Sequence, residues 1–168
     1  MEDNPITQHK FRADSKLTFE QVYTFAFDTY IPEFQILAKE LGEEKFDAAL
    51  EKIALETARR AGEEAASKLA SNDFAAFLDS SAKDAYFWDH VLTVETVMQT
   101  ATVSEIKVTE CLWAKTFREL DAEKLGYILV CNPDFAYCQG FNLHIHLIRT
   151  KTLMQGDDYC NHHWCWRE

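Results

Sequence analysis

Apolar residues recur at helical spacing through the first half of the chain and alternate with polar ones through much of the second. From Leu17 to Leu41, Val22, Phe25, Tyr30, Phe34, Leu37 and Leu41 fall at near-helical spacing, and Thr18 with Gln21 three residues on has the form of a capping box, so a helix is predicted there. Pro32 lies inside that stretch and is expected to kink or split it, because proline lacks the N–H that a helix interior uses. After Gly42, the segment Glu43 to Ala70 is rich in Ala, Glu, Lys and Leu, with Phe46, Ala49, Leu50, Ile53, Ala54 and Ala58 forming one apolar stripe, which predicts a second helix with a solvated charged face. Ser71-Asn72-Asp73 then reads as the cap of a short helix from Phe74 to Leu78, followed by a loop carrying Asp84, Tyr86, Trp88 and His90.

From Val91 the period shortens. The stretch VLTVETVMQTATVSEIKVTECLW is dense in Val, Thr and Ile and alternates, predicting two strands turned near Gln99 to Ala101. A helix from Ala122 to Cys131 follows, and Asn132-Pro133 is placed to end it and start another, with Asn132 as N-cap and Pro133 at the first helical position. FNLHIHLIRTKTLM, a turn at Gly156-Asp157-Asp158 and YCNHHWCWRE then form a second strand pair. The fold class expected is α+β: a mainly helical segment over residues 1–90, then strand pair, helix, strand pair over 91–168, giving one domain with a four-stranded antiparallel sheet and helices on one face.

Composition narrows the class of partner. With 168 residues, 47% apolar and 13% aromatic, the chain can bury a core without staples and is not a disordered or linker-type sequence. Asp and Glu number 28 against 17 Lys and Arg, a formal charge of -11, which argues against a nucleic-acid or anionic-membrane surface. No apolar run approaches a membrane span, and MEDNPITQHK lacks the regions of a secretory signal. The five cysteines, Cys111, Cys131, Cys138, Cys160 and Cys165, cannot all pair. A reducing cytoplasm with free, ligating or catalytic thiols is therefore the expectation.

Candidate chemistry concentrates where those cysteines meet histidine and aspartate. On the last strand, Cys160, His162, Trp164 and Trp166 share one face while Asn161, His163 and Cys165 share the other. His144-x-His146 with Cys160-x-His162 offers four ligands of the kind zinc takes, although without a diagnostic spacing; the alternative is that both upstream histidines face solvent on an edge strand. Cys131 and Asp134 stand three apart, with Cys138 extending the stripe. A carboxylate beside a thiol opposes thiolate formation, so Asp134 is better suited to holding an imidazole or an amidinium than to activating Cys131. Cys138 and Cys165 read as small core residues, and Trp88, Trp113, Trp164 and Trp166 as core or pocket lining.

The string from Val108 to Trp164 resembles the L-2-amino-thiazoline-4-carboxylic acid hydrolase family. The resemblance rests on Cys111, Cys131, Asp134, Phe135, Gly140, Phe141, Asn142, Arg149, Thr150, Thr152, Gly156, Cys160 and His162, and covers the C-terminal third. Asn161, His163, Leu143 and Pro133 depart from the family's pattern. The order of elements is also similar to four-vinyl-reductase and trafficking-subunit types of ligand-binding domain. What the resemblance implies is a hydrolase that adds water to the ring carbon of a cyclic amidine and expels sulfur, opening a 2-amino-thiazoline to an N-carbamoyl cysteine. It implies catalytic roles for Cys131, Asp134, Cys160 and His162: His162 as base, Asp134 as partner of the amidine or of His162, and Cys131 or Cys160 as nucleophile. Cys111, Asn142, Arg149 and Trp164 are implied to bind substrate, Arg149 through its fork to a carboxylate. No cofactor is implied, a divalent metal being the alternative. A binding or sensor domain without turnover, and a lyase or isomerase in the same pocket, are the other readings. The partners expected are a small-molecule substrate and a second copy of the chain, since the sheet has an exposed edge and aromatic-rich strands.

Overall fold

A computed structural model describes residues 17–83 and 85–168. The N-terminal stretch read for a signal, and Asp84, lie outside the described residues. Helix α1 (Phe19–Leu41) begins at the capping box: the Thr18 hydroxyl accepts from the Gln21 N–H at 3.1 Å and the Gln21 side chain accepts from the Thr18 N–H at 2.9 Å. Pro32 does not split it, and α1 runs as one helix to Gly42, whose φ of 86° turns the chain into α2 (Glu43–Ser67). Helix α3 (Phe74–Lys83) is longer than the sequence suggests, and the segment read as a loop is instead helix α4 (Ala85–Val91). Its support is tertiary and invisible to local pattern: Phe87 lies 5.9 Å from Phe19 and 6.0 Å from Trp113, with Trp88 also 6.0 Å from Trp113.

Strands β1 (Leu92–Gln99) and β2 (Val103–Cys111) form the first antiparallel pair, turning where expected. Helix α5 (Leu112–Glu119), which the alternating pattern did not announce, follows directly. Cys111 caps it, its Sγ accepting from the Ala114 N–H at 3.4 Å. Beyond α6 (Glu123–Gly126) the chain widens into a π turn, Tyr127–Cys131, closed by the Asn132 N–H on the Tyr127 carbonyl at 2.8 Å, and continues into α7 (Pro133–Phe141). Asn132 is therefore helical (φ -63°, ψ -37°) and not an extended N-cap. The physical reason is Pro133. It supplies no N–H and its ring crowds the preceding turn, and a π turn relieves both demands without breaking the helix axis.

The second strand pair is shorter than read. β3 covers only Ile145–Ile148, because the Asn161 side chain takes the N–H groups of Thr150 and Lys151 at 3.0 and 2.7 Å, and Thr152 then caps a 3₁₀ turn, Leu153–Gln155. With β4 (Cys160–Trp166) the sheet is four-stranded and antiparallel in the order β1-β2-β4-β3. The fold is α+β, as the alternation of periods indicates.

Two apolar cores meet along the continuous helical segment from α6 to α7. One joins Ile31, Phe46, Phe117, Leu125, Cys131 and Met154; the other joins Phe74, Phe77, Cys138, Phe141, Ile145 and Leu147, with Trp164 against it. Helices α2 and α7 cross at a pair of glycines. A Cβ on Gly62 would collide with the Tyr137 carbonyl and stand 2.7 Å from the Phe141 nitrogen, and one on Gly140 would collide with the Arg59 carbonyl and stand 2.8 Å from its carbon. Backbone meets backbone there, which leaves room only for hydrogen.

Candidate active site

Three elements bring Asp134, Arg149 and His162 together. Asp134 sits in the first turn of α7. In the sheet Ile148 pairs with His163, so the next residue, Arg149, falls beside His162 on the face that also carries Cys160 and Trp164. The Arg149 Nη1 donates to Asp134 Oδ2 at 2.7 Å and to His162 Nε2 at 3.0 Å, while Nη2 donates to the Cys131 carbonyl. That carbonyl lies at the end of the π turn. There the Phe135 N–H bonds the Asn132 oxygen at 3.3 Å. The Phe135 ring lies under the guanidinium, 5.0 Å away.

The fork that would hold a substrate carboxylate is thus engaged within the protein. The Arg149 side chain is 2% exposed, while Asp134 keeps 46% of its side chain in solvent, so the carboxylate is the open member of the group. His162 is 13% exposed and stacks on Trp164, ring centroids 5.3 Å apart. Because a guanidinium only donates, His162 Nε2 accepts, which puts the imidazole proton on Nδ1. Among the described residues, neither His162 Nδ1 nor Arg149 Nε, both buried, has a hydrogen-bond partner.

The thiols surround this group but are not activated. Cys131 is 8% exposed, and burial together with the charge of Asp134 pushes its pKa up to about 12 against the opposing pull of Arg149. Burial raises Cys111 to about 11, over the opposing effect of the Ala114 N–H, and raises Cys160 as well. The Cys160 Sγ accepts from the Leu153 N–H at 3.2 Å. All five cysteines are free, with Cys138 bonded by the Trp164 side chain and pushed by burial to about 12.

Asn142 lies apart from Asp134. It closes the C-terminal end of α7, giving its amide to the Asn72 carbonyl at 2.8 Å and accepting from the His144 N–H at 2.9 Å. The four-ligand metal arrangement is not assembled: His146 pairs with Cys165, on the face opposite Cys160 and His162, and His144 Nδ1 is bonded to the Arg167 carbonyl at 2.7 Å. Among the described residues no group of three such side chains is placed to hold a metal ion. Two grooves have linings that include none of Asp134, Arg149 and His162. One of about 750 Å³ is lined by Asp47, Glu51, Lys124 and Tyr127, and one of about 700 Å³ has Cys111, Lys115 and Arg118 on its wall.

Sequence spacing alone missed two contributors. Phe135 was legible only as part of the family pattern, and the Cys131 carbonyl is left to Arg149 because the Phe135 N–H turns to Asn132 instead, which no spacing signals.

The fold is shared with solved structures. Subunit 3 of a trafficking protein particle complex from Naegleria fowleri, covalently bound to palmitic acid, superposes with a TM-score of 0.50 at 16% identity over 89% of this chain and 95% of that one. The phenol-responsive sensory domain of the transcription activator PoxR, with phenol, gives 0.50 at 11% identity over 80% and 71%. At those identities the likeness concerns the fold. A search of the curated proteins finds no match. The family is given by sequence: the model for L-2-amino-thiazoline-4-carboxylic acid hydrolase matches residues 19–164, and the chain belongs to that family. The match reaches well beyond the C-terminal third, back to the start of α1.

Proposed function

We propose that the protein is a hydrolase of small cyclic amidines, with Asp134 as its acid–base group. The observation that carries this reading is the open carboxylate, 46% exposed, whose Oδ2 is held by a buried guanidinium while the chain belongs to a hydrolase family. The amidine enters protonated on its ring nitrogen. Asp134 Oδ1 takes a proton from water as the oxygen adds to the ring carbon, giving a neutral tetrahedral adduct. The adduct's C–O–H becomes C=O as the C–S bond breaks, its proton passes to sulfur, and Asp134 returns its own proton to solvent.

Arg149 in this scheme is a positioning residue. It fixes Asp134 and His162, and its own fork is occupied, so it does not anchor a substrate carboxylate. His162, whose Nε2 is taken, orients the group with Trp164 behind it and is not the base that meets water. Neutral thiols at Cys131 and Cys160 speak for direct water addition over a covalent route.

Turnover of 2-amino-thiazoline-4-carboxylate and simpler cyclic amidines, followed by mass spectrometry, tests the proposal. A mass gain of one water that Asp134→Asn abolishes supports it. Absence of turnover across the panel, or full activity in Asp134→Asn, overturns it. A second reading, ligand binding without turnover, draws on the phenol-bound sensory domain that shares the fold. Saturable binding of an amidine recovered unchanged is its signature.

A further inference from the structure

A ligand that approaches Asp134 from solvent meets one sign of charge. The carboxylate is 46% exposed, with Oδ2 held by Arg149. The guanidinium behind it is 2% exposed, and its two terminal nitrogens are committed to Asp134, His162 and the Cys131 carbonyl. Its remaining donor, Nε, is buried, as is His162 Nδ1, so neither is presented to the solvent side. The lysines on α5, on α6 and after β3 are committed as well: Lys115 to Glu20, Lys124 to Asp47 and Lys151 to Asp158. Lys115 and Arg118 share a groove, but Asp134 does not line it. Cys131 shows how a further anion fares beside this group. Burial and Asp134 push its thiol up to about 12 against the pull of Arg149, and burial raises Cys160 too. Arg149 therefore does not compensate a second negative charge, because Asp134 already neutralises it.

We infer, resting on the reading of Asp134 as the group that meets the amidine, that the site selects cyclic amidinium cations that carry no carboxylate. It takes 2-amino-thiazoline in preference to the 4-carboxylate after which the family is named. The ring chemistry gives the reason. In the 4-carboxylate, the carboxyl carbon is two bonds from the ring nitrogen of the amidine. Whichever amidine N–H is given to Asp134, the two carboxylates then stand within about 5 to 8 Å of each other, inside the screening length of about 10 Å at 0.1 M salt. Like charges at that range oppose binding unless a cation lies between them, and the guanidinium that could do so is buried and engaged. The formal charge of -11 acts in the same direction, drawing a cation toward the protein and leaving a zwitterion with no net attraction.

Three compounds of one ring system test the selection: 2-amino-thiazoline, its 4-carboxamide and its 4-carboxylate. The carboxamide matches the carboxylate in size without its charge, so it separates electrostatics from fit. Dissociation constants are measured by calorimetry on the full chain at neutral pH, with kcat/KM wherever turnover occurs. The carboxamide is expected within ~3-fold of the unsubstituted amidine and the carboxylate at least ~10-fold weaker than either. The gap narrows as salt is raised, because the repulsion is screened. It falls below ~3-fold in Asp134→Asn, which removes the repelling charge. The salt series uses the parent protein alone, so the result does not depend on how well that variant folds. A carboxylate bound or turned over as well as the carboxamide, or a gap indifferent to salt, overturns the inference. Selective binding without turnover sustains it while the hydrolase reading falls, and failure of all three compounds to bind overturns both.

Discussion

Exchanging Asp134 for asparagine tests the central ion pair because its two partners sit in different dielectrics. The Arg149 side chain is 2% exposed and Asp134 46%, so removing the carboxylate strands a cation that cannot shed its proton. Breaking a buried pair from one side costs about 3–5 kcal/mol. Here the solvent that reaches Asp134 already screens part of the attraction, and the asparagine oxygen still accepts from Nη1. A loss of about 2–3 kcal/mol is therefore expected from the two effects together. For a chain of this size it lowers the melting temperature by about 4–12 °C. Arg149→Met acts differently. It leaves Asp134 free to hydrate and removes the buried charge, so its cost is confined to two acceptors, the Cys131 carbonyl and His162 Nε2, at about 1–3 kcal/mol each. Adding Arg149→Met to Asp134→Asn must then cost less than Arg149→Met alone. Urea unfolding of the parent, both single variants and the double variant closes the cycle, with a coupling of about 2 kcal/mol expected. Additive effects, or a loss below about 0.5 kcal/mol in Asp134→Asn, would refute the claim that a buried guanidinium depends on this carboxylate.

The contrast between those partners was not legible in the sequence, and the reason is physical. Spacing placed Cys131, Asp134 and Cys138 on one helical stripe and His162 with Trp164 on one strand face, because both depend on a local period. Which face of β4 turns inward, and that Arg149 comes opposite His162, depend on strand register, which only the assembled sheet fixes. Helix α1 was readable to the residue at its start because Thr18 and Gln21 satisfy each other locally. Helix α4 was not, since its aromatic residues are held by Phe19 and Trp113 from elsewhere in the chain. Asn142 shows the converse limit: it matches the family pattern, yet its visible partners are the backbone of Asn72 and His144.

Gly140→Ala is expected to destabilise the protein by about 3 kcal/mol, read as a fall in melting temperature, because its new methyl meets the Arg59 backbone and no side chain can move aside. A melting temperature within a degree or two of the parent would mean that α2 and α7 can separate freely. Cys131→Ser should retain turnover of whichever amidine the parent hydrolyses to within about tenfold, and no covalent adduct should be seen in the parent by intact mass, since a thiol of pKa about 12 is a poor nucleophile near neutrality. The same thiols set a limit on alkaline stability. Their folded pKa values lie above the ordinary 9.0, at about 11 for Cys111 and about 12 for Cys131 and Cys138, so the folded state holds the neutral form while the unfolded chain ionises. The stabilisation is complete below pH 9.0 and is lost as pH rises through the folded values. Each thiol then removes about 1.4 kcal/mol per pH unit above that point. Comparing urea midpoints at neutral pH and one unit above 9.0, Cys131→Ala should lose less stability than the parent by about 1 kcal/mol. An identical alkaline slope in parent and variant would show that the Cys131 thiol is open to water, and the case for a neutral, uninvolved sulfur beside Asp134 would fall with it.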